Sequence, residues 1–131
     1  MKKLILMLTV GILMAATFAF KKSDSPKLIA VIMKANWCPV CQANGQRMGT
    51  EVMPAFKDNT KMQFLPNDLT DEKTKKESKV ALEKFGLYKT ISKETGTGQL
   101  ILVDAKTKKV LKKISLAEPT AKVISEINSV L

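Results

Sequence analysis

Cys38 and Cys41 are the only thiols in a chain of 131 residues, and they are separated by Pro39 and Val40. Three chemistries are open to such a pair: a structural disulfide, a metal site, or a reversible dithiol–disulfide couple. As a staple the pair would do little, because a cross-link over so short a loop restrains little of the unfolded chain. Structural zinc takes four Cys or His ligands, and the chain has no histidine. Cytochrome-type haem attachment would need a histidine where Gln42 stands. Copper(I) held by both thiolates and one of Met33, Met48, Met53 or Met62 is a rival reading, although methionines in apolar runs are usually core filler. The redox couple fits the spacing best, and it needs no metal and no cofactor.

A redox cysteine must be exposed to a partner and must ionise, so the flanking elements decide whether the couple can work. Leu28–Met33 is a β-branched apolar run that predicts a strand buried on both faces. Asn36-Trp37-Cys38-Pro39 breaks it, and Pro39 suits the first position of a helix expected to run to about Phe56 with a bend near Gly45 or Pro54. Cys38 then stands at a helix N-terminus, where unpaired N–H groups and the macrodipole favour a thiolate. Cys41 falls about one turn inside, near enough to bond to Cys38 but better shielded. Cys38 is therefore expected to be the nucleophile that exchanges with a partner, and Cys41 the resolving thiol. Trp37 has two readings, a cover over the pair or a packing residue.

Met62–Leu65, closed by Pro66, reads as a second strand. Asp71–Phe85 reads as a lysine-rich amphipathic helix marked by Val80, Leu82 and Phe85 and ended by Gly86. Tyr88–Gly98 reads as a loop and Leu100–Val103 as a third buried strand. Lys109–Ile114 reads as an edge strand whose lysines discourage edge-to-edge pairing. Pro119 opens a last helix with Val123, Ile124, Ile127 and Leu131 on one face. The order βαβαββα predicts an α/β three-layer sandwich. Its mixed four-stranded sheet has the first two strands parallel and the last two as a hairpin.

Residues 1–20 have the layout of a signal peptide: Lys2 and Lys3, an uncharged run from Leu4 to Phe20, and Thr17 and Ala19 near its end. The run is also just long enough for an uncleaved anchor. Either reading places the rest outside the cytoplasm, periplasmic or otherwise extracytoplasmic, with contact to a membrane only through that segment if it is not cleaved. Residues 21–27 form a polar linker and 28–131 one domain. The formal net charge is +10, but the lysines are scattered, Arg47 is the only arginine, and aromatics are not interleaved with the basic runs. That pattern describes a solvated lysine-rich surface rather than a nucleic-acid site.

The Ala35-Asn36-Trp37-Cys38-Pro39-Val40-Cys41 segment after a strand, the helix that follows and the terminal ββα resemble the thioredoxin superfamily over roughly residues 27–131. The resemblance implies a thioredoxin-like fold, a nucleophilic Cys38, a resolving Cys41, and as partners protein thiols and disulfides together with a redox partner protein, with the chain a monomer. Three departures stand out. The family's acid six positions before the first cysteine is replaced by Ile32. Lys34, on the same side of that strand, is either a thiolate-stabilising cation or a surface lysine whose head reaches water. The family's cis-proline before the third strand is absent, leaving Gly98 or Gln99 at that substrate-binding place, where glycine tolerates unusual backbone. Tyr88–Thr97 is an extra loop beside the site. Pro39 after the first cysteine resembles glutaredoxins and bacterial disulfide-introducing proteins and implies a less reducing pair. A non-catalytic binding module on the same fold is the other alternative.

Overall fold

The computed structural model describes residues 25–131; the expected leader and the start of the linker lie outside the described residues. The elements are β1 (Leu28–Lys34), α1 (Pro39–Arg47), β2 (Met62–Asp68), α2 (Glu72–Lys84), α3 (Tyr88–Ile91), β3 (Gln99–Asp104), β4 (Val110–Ser115) and α4 (Thr120–Asn128). They form a four-stranded sheet in the order β2-β1-β3-β4. β1 runs parallel to β2 and antiparallel to β3, and β3 and β4 form an antiparallel hairpin.

Alternation along β1 supplies a core on each side of the sheet, as the period of a strand requires. Leu28 and Ala30 join Met48, Val52, Phe56, Val123 and Ile127 under α1 and α4. Ile29, Val31 and Met33 join Leu65, Leu82, Leu87 and Ile91 under α2 and α3. The helices that close both faces lie within residues 28–131, so this span carries its own core.

The structure departs from the sequence reading at several places. The helix from Pro39 does not stay α-helical to Phe56: it widens to π turns over Met48–Val52 and tightens to a 3-10 turn over Met53–Phe56. Pro54 has no N–H to offer the carbonyl four residues back, so regular α-helix cannot pass through it. Gly45 sits within regular helix and marks no bend. β2 continues through Pro66 to Asp68, opposite Ile32 and Lys34. As an edge strand it can present the proline's donor-free side to solvent. Val80 is 54% exposed, and the inner face of α2 is carried by Leu82 and Ser78.

The expected loop after Gly86 contains α3. A four-residue helix has too few internal bonds to hold itself. Leu87 and Ile91 are fully buried, and about 1.5–3 kcal/mol for each buried side chain fastens it to the sheet.

The end of α1 is tied to the β4–α4 connection by the single arginine. The Arg47 guanidinium donates to the Glu118 carbonyl at 2.9 Å, to Thr120 Oγ1 at 2.9 Å, and to the Leu116 carbonyl. A planar fork of donors can serve several carbonyls at once, which an ammonium cannot do in the same geometry. Arg47→Ala is expected to cost about 2 kcal/mol in urea unfolding, the scale of charge-assisted hydrogen bonds, with Arg47→Lys recovering only part of it. A loss below about 0.5 kcal/mol, within the range of neutral surface changes, would show that the clamp does not hold α1.

Candidate functional site

The site begins where β1 ends. After Lys34 the backbone turns, with the Cys38 N–H donating to the Ala35 carbonyl at 3.2 Å, and α1 starts at Pro39. The turn is held from outside by the β2–α2 connection. The Asn36 N–H donates to Thr70 Oγ1 at 3.0 Å and Trp37 Nε1 donates to the Thr70 carbonyl at 3.2 Å. Gln42 Nε2 donates to the Asn36 carbonyl at 2.6 Å, which closes the turn onto the helix.

Cys38 is the N-cap of α1, and its sulfur accepts from the Cys41 N–H at 3.2 Å. A side-chain acceptor is what an N-cap position calls for, since the first N–H groups of a helix have no intrahelical partner. Here the acceptor is a sulfur. Both cysteines are free thiols. Cys38 is 3% exposed, and Gly98 and Val40 pack beside its sulfur. Burial pushes the Cys38 thiol up. Hydrogen bonds from the Cys41 thiol, the Thr97 hydroxyl and the N–H groups of Cys41 and Val40 outweigh it and hold Cys38 below the ordinary thiol value.

Cys41 moves the other way. Burial raises it, and so do the donation of its proton to Cys38 and the charge that Cys38 would carry, against weaker lowering contacts with the backbone of Ala35 and Gly98. Its sulfur lies 3.8 Å from the Met33 carbonyl. Cys38 is the more buried of the two and Cys41 is half-buried, the reverse of the shielding expected from the sequence. Even so, Cys38 is held toward thiolate and Cys41 toward thiol, a separation that suits nucleophile and resolving partner.

Of the other residues singled out in the sequence, Gly98 meets the pair and Gln99 does not. Gly98 has φ +75, and a Cβ there would lie 2.9 Å from Val40 Cβ and 3.4 Å from Cys38 Sγ. Only glycine combines that backbone with that clearance. Its N–H donates to the Met33 carbonyl at 2.8 Å and its carbonyl accepts from Leu116 at 2.9 Å. Gln99 opens β3 and folds its side chain back to the Gly96 carbonyl at 3.1 Å. No cis peptide bond occurs among the described residues.

The Lys34 ammonium is 3.7 Å from Asp68 Oδ2, and both residues line the cavity that reaches Cys41. Burial raises the Asp68 carboxyl, but Thr70 and the Lys34 charge outweigh it and hold it below the usual carboxylate range. Trp37 is 58% exposed. Its ring lines a groove of about 380 Å³ with Tyr88, Ile91 and Thr95, so the segment expected as an extra loop does border the site. On the other side of α1, a cavity of about 540 Å³ reaches Cys41 between Ile32, Ala35, Met48, Phe64 and Leu116, with Asp68 on its wall. Met33, Met48 and Met62 are core residues, and the Met33 sulfur accepts from Asn67 Nδ2 at 3.3 Å.

Three residues of the site were not singled out from the sequence: Thr70, Asp68 and Thr97. Thr97 carried a signal, since it directly precedes the glycine at the cis-proline place. Thr70 and Asp68 reach the site only through the parallel pairing of β1 and β2, which no local pattern announces.

Neither family models nor curated protein sequences match the chain. Solved structures do. A Bacteroides thetaiotaomicron protein, described as a candidate protein disulfide isomerase, superposes with a TM-score of 0.53 at 19% identity over 79% of this chain and 72% of that one. Trxlp from Edwardsiella tarda EIB202 gives 0.48 at 17% identity, covering 79% and 84% of the two chains. Thioredoxin from Wuchereria bancrofti gives 0.45 at 16%, covering 83% and 85%. The superposition on the Bacteroides structure shows the fold, a thioredoxin-like α/β architecture with a mixed four-stranded sheet.

Thr97 offers a direct check on the electrostatics. Thr97→Val keeps the side chain's shape and removes its hydroxyl, so the Cys38 pKa should rise and alkylation of Cys38 by iodoacetamide near neutral pH should slow. An unchanged pH profile of alkylation would show that the hydroxyl does not act on the sulfur.

Proposed function

We propose that the chain is a thiol–disulfide oxidoreductase acting on exported proteins, with Cys38 as nucleophile and Cys41 as resolving thiol. One observation carries the reading: the Cys38 sulfur caps α1, accepts from the Cys41 N–H at 3.2 Å, and is held toward thiolate while Cys41 is held toward thiol.

In the reducing direction the Cys38 thiolate attacks one sulfur of a partner disulfide. A mixed disulfide forms and the partner's other sulfur leaves as thiolate. Cys41 then gives up its proton and attacks Cys38 Sγ, so the partner's second sulfur leaves and takes up a proton. The partner gains two electrons and the Cys38–Cys41 disulfide forms. Every step reverses when the partner is a dithiol and the chain starts as the disulfide. Gly98 covers Cys38 with backbone alone, so a partner has no Gly98 side chain to displace. Trp37 and the α3 segment form the adjoining wall on which a partner polypeptide would lie. The leader read at residues 1–20 supports action outside the cytoplasm, where protein disulfides persist.

Two measurements on purified protein test the proposal. In glutathione buffers the pair should interconvert fully and reversibly between dithiol and disulfide. Cys41→Ser should accumulate a mixed disulfide through Cys38 when mixed with a disulfide-bonded protein, whereas Cys38→Ser should accumulate none. Failure of the wild-type pair to exchange with a model disulfide would overturn the assignment and leave a thioredoxin-fold binding module.

A further inference from the structure

The two ends of the sheet differ in charge. The cysteines follow the C-terminal end of β1. At the opposite end Leu28 pairs with both Met62 and Asp104. There the Lys27 N–H donates to the Lys61 carbonyl at 2.7 Å, and the Ala105 N–H donates to the Lys27 carbonyl at 2.8 Å. This topology gathers Lys27, Lys57, Lys61, Lys84, Lys106 and Lys109, all exposed, although they are far apart in sequence. Lys27, Lys84 and Lys106 rim one shallow depression of about 690 Å³.

Among the described residues none of these six lysines is in an ion pair, whereas Lys34, Lys75, Lys79, Lys112, Lys113 and Lys122 each face a carboxylate. The acids at this end offset only part of that charge. Asp104 stays ionised, accepting from the N–H groups of Thr107 and Lys106 at 2.7 and 2.9 Å and attracted by the Lys106 charge, and Glu83 is paired with Lys79 at 3.7 Å. Asp58 is the exposed carboxylate left over.

We infer that this end of the domain is a docking surface for an anionic lipid membrane. Clustered lysines without a geometric fork suit a diffuse layer of headgroup charge. Nucleic acid would call for arginine and stacking aromatics, but Arg47 is committed to α4, and the exposed aromatics, Trp37 and Tyr88, line the groove beside the cysteines. The chain also enters the domain at this end, through Ser25–Lys27. Only seven residues separate Leu28 from the apolar run read to Phe20, a reach of about 29 Å at most.

Docked this way, the domain would present its cysteines outward. Seven residues of β1 span roughly 23 Å, more than two Debye lengths at physiological ionic strength, about 8 Å each. Cys38 would stay clear of the surface field, at the end of the domain that faces solution. The inference does not depend on the cysteine chemistry.

Sedimentation of residues 21–131 with lipid vesicles tests it. Binding is expected to vesicles containing phosphatidylglycerol, to be absent with pure phosphatidylcholine, and to weaken as salt is raised. Lys27→Glu with Lys106→Glu should reduce that binding about tenfold or more, on the usual strength of lysine–headgroup attraction. Lys73→Glu with Lys76→Glu, the same change of charge on α2, should leave it within about threefold. No binding to the anionic vesicles, equal losses in both variants, or tighter salt-sensitive binding to a single-stranded oligonucleotide than to the vesicles would each overturn the assignment.

Discussion

A helix that begins in the open has N–H groups with nothing to bond to, and in this protein the first acceptor offered to them is a sulfur. Cys38 Sγ accepts from the Cys41 N–H at 3.2 Å, so the two thiols are linked through the cap of α1 before any disulfide forms. That single contact requires the backbone at Cys38 to be extended and Pro39 to start the helix, with Cys41 one turn along, and all three are seen. Without those donors nothing would offset the cost of burying the sulfur, and it would stay protonated.

The remaining elements hold that arrangement in place. β1 delivers the turn, Thr70 at the end of the neighbouring strand grips Asn36 and Trp37, and Arg47 fastens the far end of α1. Gly98, at positive φ, lets the chain before β3 pass directly over Val40 and Cys38. Thr97 thereby reaches the sulfur with a hydroxyl. The wall facing the cysteines is thus built from backbone and one small polar side chain. On the inner side, Ile32 makes the cavity beside Cys41 apolar, and the nearest carboxylate on its wall, Asp68, is fastened by Thr70 and Lys34.

Much of this was legible in the sequence because it rests on local rules. Leu28–Met33 reads as a strand buried on both faces, Pro39 marks a helix start, Gly86 marks the end of α2, and the lysines of Lys109–Ile114 mark an edge. What was not legible depends on pairing or on competition between elements. Pro66 reads as the end of a strand, yet an edge strand accommodates it. Tyr88–Ile91 reads as polar loop because only Leu87 and Ile91 point inward, too few for a visible period. Val80 reads as core but faces water, since α2 is anchored through the Ser78 hydroxyl and the Asp68 N–H at 2.9 Å. Lys34 reads either as a thiolate-stabilising cation or as a surface lysine, and its partner Asp68 is not legible locally, because the parallel register sets those two side by side. Lysines scattered along the chain become one charged end for the same reason: the sheet brings strand starts and turns together.

The central claim is that the fold separates the two thiols in acidity. The most direct test is titration of the reduced protein by thiolate absorbance in the ultraviolet, with selective alkylation to identify which sulfur ionises first. Two interacting thiols should titrate in two steps, the first below the ordinary thiol range and belonging to Cys38, the second above it. Alkylation of Cys38 should slow as pH falls through the first step. A single step at the ordinary thiol value, with Cys38 and Cys41 alkylated together, would contradict the account.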